Sequence, residues 1–103
     1  MTKEEIDEKL LDWNVDEDAI IFEPREDFDK GIIGVSEDKC HLIYSYQKLT
    51  EALAKSYEKN KEADSQETYD DFLDEACEWV DYNTIRSIPY MNSEYAPIII
   101  YEF

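Results

Sequence analysis

Gly31-Ile-Ile-Gly-Val-Ser-Glu-Asp-Lys-Cys-His-Leu-Ile-Tyr-Ser45 decides the fold class. Two short β-branched and aromatic runs, 31–35 and 40–45, flank Ser36-Glu-Asp-Lys39. The pattern predicts a β-hairpin closed by a tight turn. Gly34, inside the first run, points to a bulge or to close packing. Upstream, Ala19-Ile-Ile-Phe-Glu23 has the same character and is stopped by Pro24, so it reads as a further strand. Residues 25–30 read as a charged loop.

Working outward, the hairpin is bounded by helical patterns. Thr2-Lys-Glu-Glu5 has the form of a capping box, and Ile6, Leu10, Leu11 and Trp13 make one apolar stripe. The spacing predicts a helix over 3–13. A second helix is predicted over 46–57, with Leu49, Ala52 and Leu53 inward. Ser65 reads as the N-cap of a third. There Tyr69, Phe72, Leu73, Ala76, Cys77 and Val80 recur with helical period, against Asp70, Asp71, Asp74, Glu75, Glu78 and Asp81 on the other face. Pro89 forbids continuation, and Pro97-Ile-Ile-Ile-Tyr101 reads as a last strand. The expected order is α-β-β-β-α-α-β in a single domain, 1–103. That is an α+β fold, an antiparallel sheet of about four strands with helices packed on one face. Two helices between the last two strands return the chain to the end it left, so the last strand is expected to run antiparallel to its predecessor.

The charge is lopsided. The 103 residues carry 27 Asp and Glu against 10 Lys and Arg, a net charge of −17. Residues 1–29 hold a net −9, and residues 62–81 hold nine acids and no base. Such a field disfavours direct nucleic-acid binding and anionic membranes, and favours a basic protein partner. The chain is nonetheless 43% hydrophobic with 14 aromatic residues, unlike a disordered acidic tail. No apolar run approaches the ~20 residues of a membrane span. With no signal-peptide pattern and only Cys40 and Cys77, without metal-like spacing, the expected compartment is the cytoplasm.

Few motifs carry chemistry. Asp12-Trp-Asn-Val-Asp-Glu-Asp-Ala-Ile-Ile-Phe-Glu23 sets oxygen donors at several calcium-loop positions. Glu17 stands where the sharp turn needs glycine, and Pro24 stands where an exit helix should begin, so an acidic loop without metal is the expectation. His41 adjoins Cys40, but neighbouring strand residues face opposite ways. Cys77 falls on the apolar stripe, as a small buried hydrophobe would. Glycine occurs only at 31 and 34, and no phosphate-binding or hydrolase motif is present. No cofactor and no catalytic residue is expected.

One further stretch is distinctive in composition. Glu78-Trp-Val-Asp-Tyr-Asn-Thr-Ile-Arg-Ser-Ile-Pro-Tyr90 sets Arg86, one of two arginines, among aromatics, the usual anchors of interfaces. The simpler reading has Asn83 closing the helix in a left-handed conformation and Arg86 paired with an acid such as Asp81. Residues 79–91, with Ala96-Pro-Ile-Ile-Ile-Tyr101, Gly31-Ile-Ile-Gly-Val-Ser36 and Leu42-Ile-Tyr44, resemble a family of small acidic proteins of Gram-positive bacteria and their phages. The resemblance covers about residues 28–103 and implies a fold but no activity. The candidate site it suggests is Asp81, Tyr82, Asn83, Thr84 and Arg86, with no role attached.

Three function classes follow. The leading one is a non-enzymatic binding protein that engages a basic partner through Glu67, Asp70, Asp71, Asp74, Glu75 and Glu78. A narrower form is a nucleic-acid mimic that occupies the groove of a DNA-handling enzyme, since carboxylates at helical spacing and duplex phosphates have comparable repeats. The alternatives are a small enzyme or ligand-binding domain centred on Asn83 and Arg86, and an assembly protein whose last strand adds to another sheet.

Overall fold

The hairpin forms where the sequence places it. In the computed structural model, which describes residues 2–102, β1 (Ile32–Val35) and β2 (Leu42–Ser45) pair antiparallel. Their register slips between Ile32 and Gly34, which makes the expected bulge. Close packing belongs to the other glycine. A Cβ on Gly34 would meet nothing within 4 Å, whereas one on Gly31 would lie 2.5 Å from Leu49 Cδ2.

Alternation along β2 sends Leu42 and Tyr44 into the core, where neither is exposed, and leaves Ile43 on the opposite face. Helices cover the core side. In α1 (Lys3–Asp12) Thr2 Oγ1 accepts the Glu5 N–H, and Ile6 is buried. In α3 (Tyr46–Lys59) Ser45 Oγ accepts the Lys48 N–H, and Leu49, Ala52, Leu53 and Ala54 are buried. A further helix, α4 (Tyr69–Trp79), contributes Phe72 and Ala76, and Val80 follows it into the same cluster. Its cap is not Ser65. Thr68 and Asp71 form a reciprocal capping box, while Ser65 Oγ only accepts the Glu67 N–H two residues on.

Two expected features are replaced. Residues 19–23 form no strand. The Phe22 N–H donates to Tyr44 Oη at 3.0 Å, and the Ile20 N–H donates to Tyr95 O at 3.1 Å. These amides are met by a side chain and a loop, so no ladder is needed to satisfy them. The charged stretch after Pro24 is instead a short helix, α2 (Arg25–Phe28), running into a 3-10 turn (Asp29–Gly31).

The sheet is therefore three-stranded and mixed, in the order β1-β2-β3. The last strand, β3 (Ile98–Ile100), runs parallel to β2 rather than antiparallel. The reason lies after α4. Tyr46, at the start of α3, lies against Cys77 and Asp81 at the far end of the α3–α4 hairpin, so the two helices do return the chain to the end where β2 finishes. Residues 80–97 then make a third leg, through a π-helical turn (Val80–Thr84) and a 3-10 helix (Ile85–Tyr90). That leg delivers Ala96 to within 2.7 Å of His41, at the end where β2 begins. The expected antiparallel order of four strands counted two legs where there are three.

Tyr44 is the sharpest test of this packing. Tyr44→Phe keeps the ring but strands the buried Phe22 amide, and should cost about 1–3 kcal/mol in chemical denaturation. Desolvation holds the Tyr44 phenol above its ordinary pKa. Its stabilising effect is full below about pH 10, where tyrosine in the unfolded chain ionises, and is lost as pH rises beyond that. The stability of the wild-type chain should fall above pH 10 more steeply than that of Tyr44→Phe.

The two glycines make a paired test. Gly31→Ala should destabilise by about 1–3 kcal/mol because Leu49 must move. Gly34→Ala, in open space, should change stability by no more than about 0.5 kcal/mol. Equal effects at the two sites would refute the packing.

Candidate functional site

The acidic residues of α4 keep the face that their spacing implies. Asp70, Asp74, Glu75 and Glu78 are all exposed, on the side opposite Phe72 and Ala76. No lysine or arginine is ion-paired to them among the described residues. The ion pairs found there join Arg25 to Asp7 and Asp29, while His41 Nε2 lies 3.6 Å from Asp38 Oδ2. Asp71 stands apart because its carboxylate is taken up by the cap, accepting the Thr68 N–H at 2.8 Å. Glu67 precedes the helix. It lines a cleft of about 770 Å³ between the end of α3 and the start of α4, with Tyr57, Asp71 and Glu75. Burial, then the charges of Glu75 and Asp27, raises the Tyr57 phenol above its usual pKa.

The second candidate group does not converge. Asp81, Tyr82, Asn83 and Thr84 occupy successive positions of one π-helical turn and point different ways. Thr84 is buried. The expected left-handed Asn83 is absent, since Asn14 and Lys39 are the non-glycine residues of positive φ among those described. Asn83 instead folds back, its Nδ2 donating to Trp79 O at 3.1 Å. The helix needs no left-handed stop here, because it passes through a wider turn into a 3-10 segment. Arg86 pairs with no acid among the described residues. Its guanidinium lies 5.2 Å from the centre of the Tyr82 ring, a cation–π contact at the surface. Asp81 faces Tyr46. Burial, the Cys77 thiol and the Asp81 carboxylate together hold the Tyr46 phenol well above its usual pKa. The Tyr46 ring also stacks on Tyr101, with centroids 4.8 Å apart.

The remaining chemical candidates are similarly occupied. Asp16 Oδ1 accepts the Asp18 N–H within the acidic loop, and no group of three or more acids, histidines or cysteines is placed to hold a metal ion among the described residues. Cys40 Sγ donates to Asp38 O, and burial followed by nearby carboxylates pushes its thiol pKa up, which lowers its reactivity. His41 Nδ1 lies 2.7 Å from Ala96 O. A carbonyl only accepts, so Nδ1 carries the proton and His41 serves as a tie between β2 and the third leg.

No protein-family model, curated protein or solved structure matches this chain.

Two features were hidden from sequence reasoning. Tyr46 meets Cys77 and Asp81 only because α3 and α4 fold back on each other, and no spacing in the chain signals it. The apolar groove between α1 and β1 is the other. The one available signal was Trp13, which ends the α1 stripe yet is 59% exposed.

Arg25 is the cation that the fold consumes. It donates through Nε to both oxygens of buried Asp29 and through Nη2 to Asp7 at 2.8 Å, which ties α1 to α2. The pair with Asp29 is the main cause that raises the Arg25 pKa. Arg25→Met should cost about 3 kcal/mol, measured by urea denaturation, because it leaves Asp29 buried and alone. Arg25→Met with Asp29→Leu should recover most of the loss.

Proposed function

We propose that this chain is a small non-enzymatic binding protein of the cytoplasm that engages a basic protein partner through the outer face of α4. It binds neither nucleic acid nor membrane directly. One observation carries the reading: Asp70, Asp74, Glu75 and Glu78 stand exposed on one helix with no cation of the chain paired to them among the described residues. No helix there is long and apolar enough to cross a membrane, which fits the membrane part of the reading without deciding the compartment. A folded chain that leaves its strongest field uncompensated attracts basic partners and repels acidic ones.

A narrower version is favoured by the row Asp70, Asp74, Glu78, evenly stepped four residues apart along α4. Such a row suits a nucleic-acid mimic, and the partner is then a DNA-handling enzyme. The reading centred on Asn83 and Arg86 has less support, because both side chains are spent on local contacts.

The test is capture of partners from lysate by the wild-type chain and by a variant carrying Asp70→Lys, Asp74→Lys and Glu78→Lys, at low and high salt. Screening weakens such contacts with ionic strength. A partner retained by the wild type at low salt should be lost at high salt and bind the variant at least ten-fold more weakly. Displacement of that partner by duplex DNA supports the mimic, and unaltered capture by the variant refutes the acidic face.

A further inference from the structure

The sheet has two open edges, and the edge at β1 lies beside a groove. β1 is paired on one side only. The Ser36 N–H donates to His41 O, so by alternation the N–H and C=O of Val35 point away from β2. Apart from the Ile32 N–H, which donates to Asp29 O, no backbone group of residues 32–35 is met on that side from elsewhere in the chain among the described residues. α1 runs alongside. Between them is a groove of about 310 Å³, walled by Ile6, Leu10 and Trp13 on the helix and by Ile33 and Val35 on the strand. Ile33 is 41% exposed, and the space above Gly34 is open. An unpaired strand edge next to an apolar helix wall is the geometry in which an extended peptide adds a strand, taking backbone hydrogen bonds from the edge and seating alternate side chains in the groove.

Charge selects the occupant. Glu5, Glu8 and Asp12 are exposed on α1, and Glu37 and Asp38 are exposed in the turn where β1 ends. Four lysines lie near, Lys3 and Lys9 on α1, Lys30 before β1 and Lys39 in the turn, but the five acids of α1 and two of the turn outnumber them, and Lys39 Nζ sits over the Trp13 ring at 5.2 Å. A second copy of this chain would bring another net −17 to the same edge. The other edge, β3, is shorter, and the strand runs on into Tyr101, which is stacked on Tyr46.

We infer that the free edge of β1 and the α1 groove form a strand-addition site for an extended segment of a partner in which apolar residues alternate with Lys or Arg. The site is separate from the outer face of α4 and does not rest on it.

The probe is a synthetic octapeptide of alternating Val and Lys, followed by Trp13 fluorescence and by amide NMR shifts, with a Val/Glu octapeptide beside it. The Val/Lys peptide should bind saturably, shift the amides of residues 32–36 and slow hydrogen exchange at Val35. The Val/Glu peptide should not bind. Ile33→Lys, a surface change that sets a charge on the edge, should weaken binding at least ten-fold. Ile98→Lys on β3 and the triple lysine variant of α4 should stay within two-fold of wild type. Shifts confined to α4, equal losses at Ile33 and Ile98, or undiminished binding by Ile33→Lys would each overturn the site. Binding that survives the α4 variant but not Ile33→Lys supports the groove whatever becomes of the acidic-face proposal.

Discussion

The hydroxyl of Tyr44 holds the two halves of this fold together. Its ring sits at the centre of the sheet's inner face with no exposed surface, packed 4.6 Å from the Phe22 ring, centroid to centroid. Its oxygen accepts the Phe22 N–H. A buried amide without a partner costs about 1–3 kcal/mol, so this contact lets residues 19–23 cross the core without joining the sheet. Phe28 reaches the same cluster edge-on to Phe22 and then leans on Trp79 at the end of α4. One aromatic chain thus links the irregular N-terminal segment, the hairpin and the helical layer. Gly31 permits the last close approach, because any side chain there would displace Leu49.

Around that core the charge is distributed unevenly in purpose. Asp29 and Asp7 share the charge of Arg25, which anchors α1. Asp71 is engaged as a cap. Asp38 accepts the Ser36 hydroxyl and the Cys40 N–H, which lower its pKa and shape the hairpin turn. The exposed acids of α4 have no comparable structural role. A net charge far from zero disfavours compactness by self-repulsion while keeping the chain soluble. The acids spent on structure sit near turns and caps, where one hydrogen bond serves one local need. Those on α4 lie on a helix whose stability comes from its buried stripe, so they are free to vary without loss of fold.

How much of this was legible in the chain depends on the range of the interaction. The hairpin, the bulge and both long helices follow from local periodicity and turn chemistry and are found, and of the stripe from Tyr69 to Val80 the core takes Phe72, Ala76 and Val80 fully and Tyr69 and Leu73 in part, while Cys77 stays half-buried outside it. Residues 19–23 were misread because their composition is that of a strand, while the partner that satisfies Phe22 is a tyrosine 22 positions away. Thr68 outcompetes Ser65 as cap because Asp71 lies three residues on and can reciprocate, a pattern that the sequence carries locally. The parallel last strand was not legible locally. Its direction depends on the path of residues 80–97, and π and 3-10 turns carry no strong sequence period. The acidic face was read directly from spacing. The scatter of Asp81, Tyr82, Asn83, Thr84 and Arg86 was not, since neighbours in sequence look like a cluster until the helical turn separates them.

The mixed sheet has a consequence for where a partner can act. Had residues 19–23 formed a fourth strand beside β1, that edge would have been covered from within the chain. Instead that segment satisfies its amides on Tyr44 and Tyr95 and leaves the outer edge of β1 open. An open edge is a liability for aggregation unless charge or shape guards it. Here the guard is the acidity of α1 and of the hairpin turn, which repels further copies of the same chain and admits basic segments. The choice that the core makes at Phe22 is thus also a choice about which surfaces remain available. The same acids that oppose the approach of like-charged chains set the chemistry of what can dock on it.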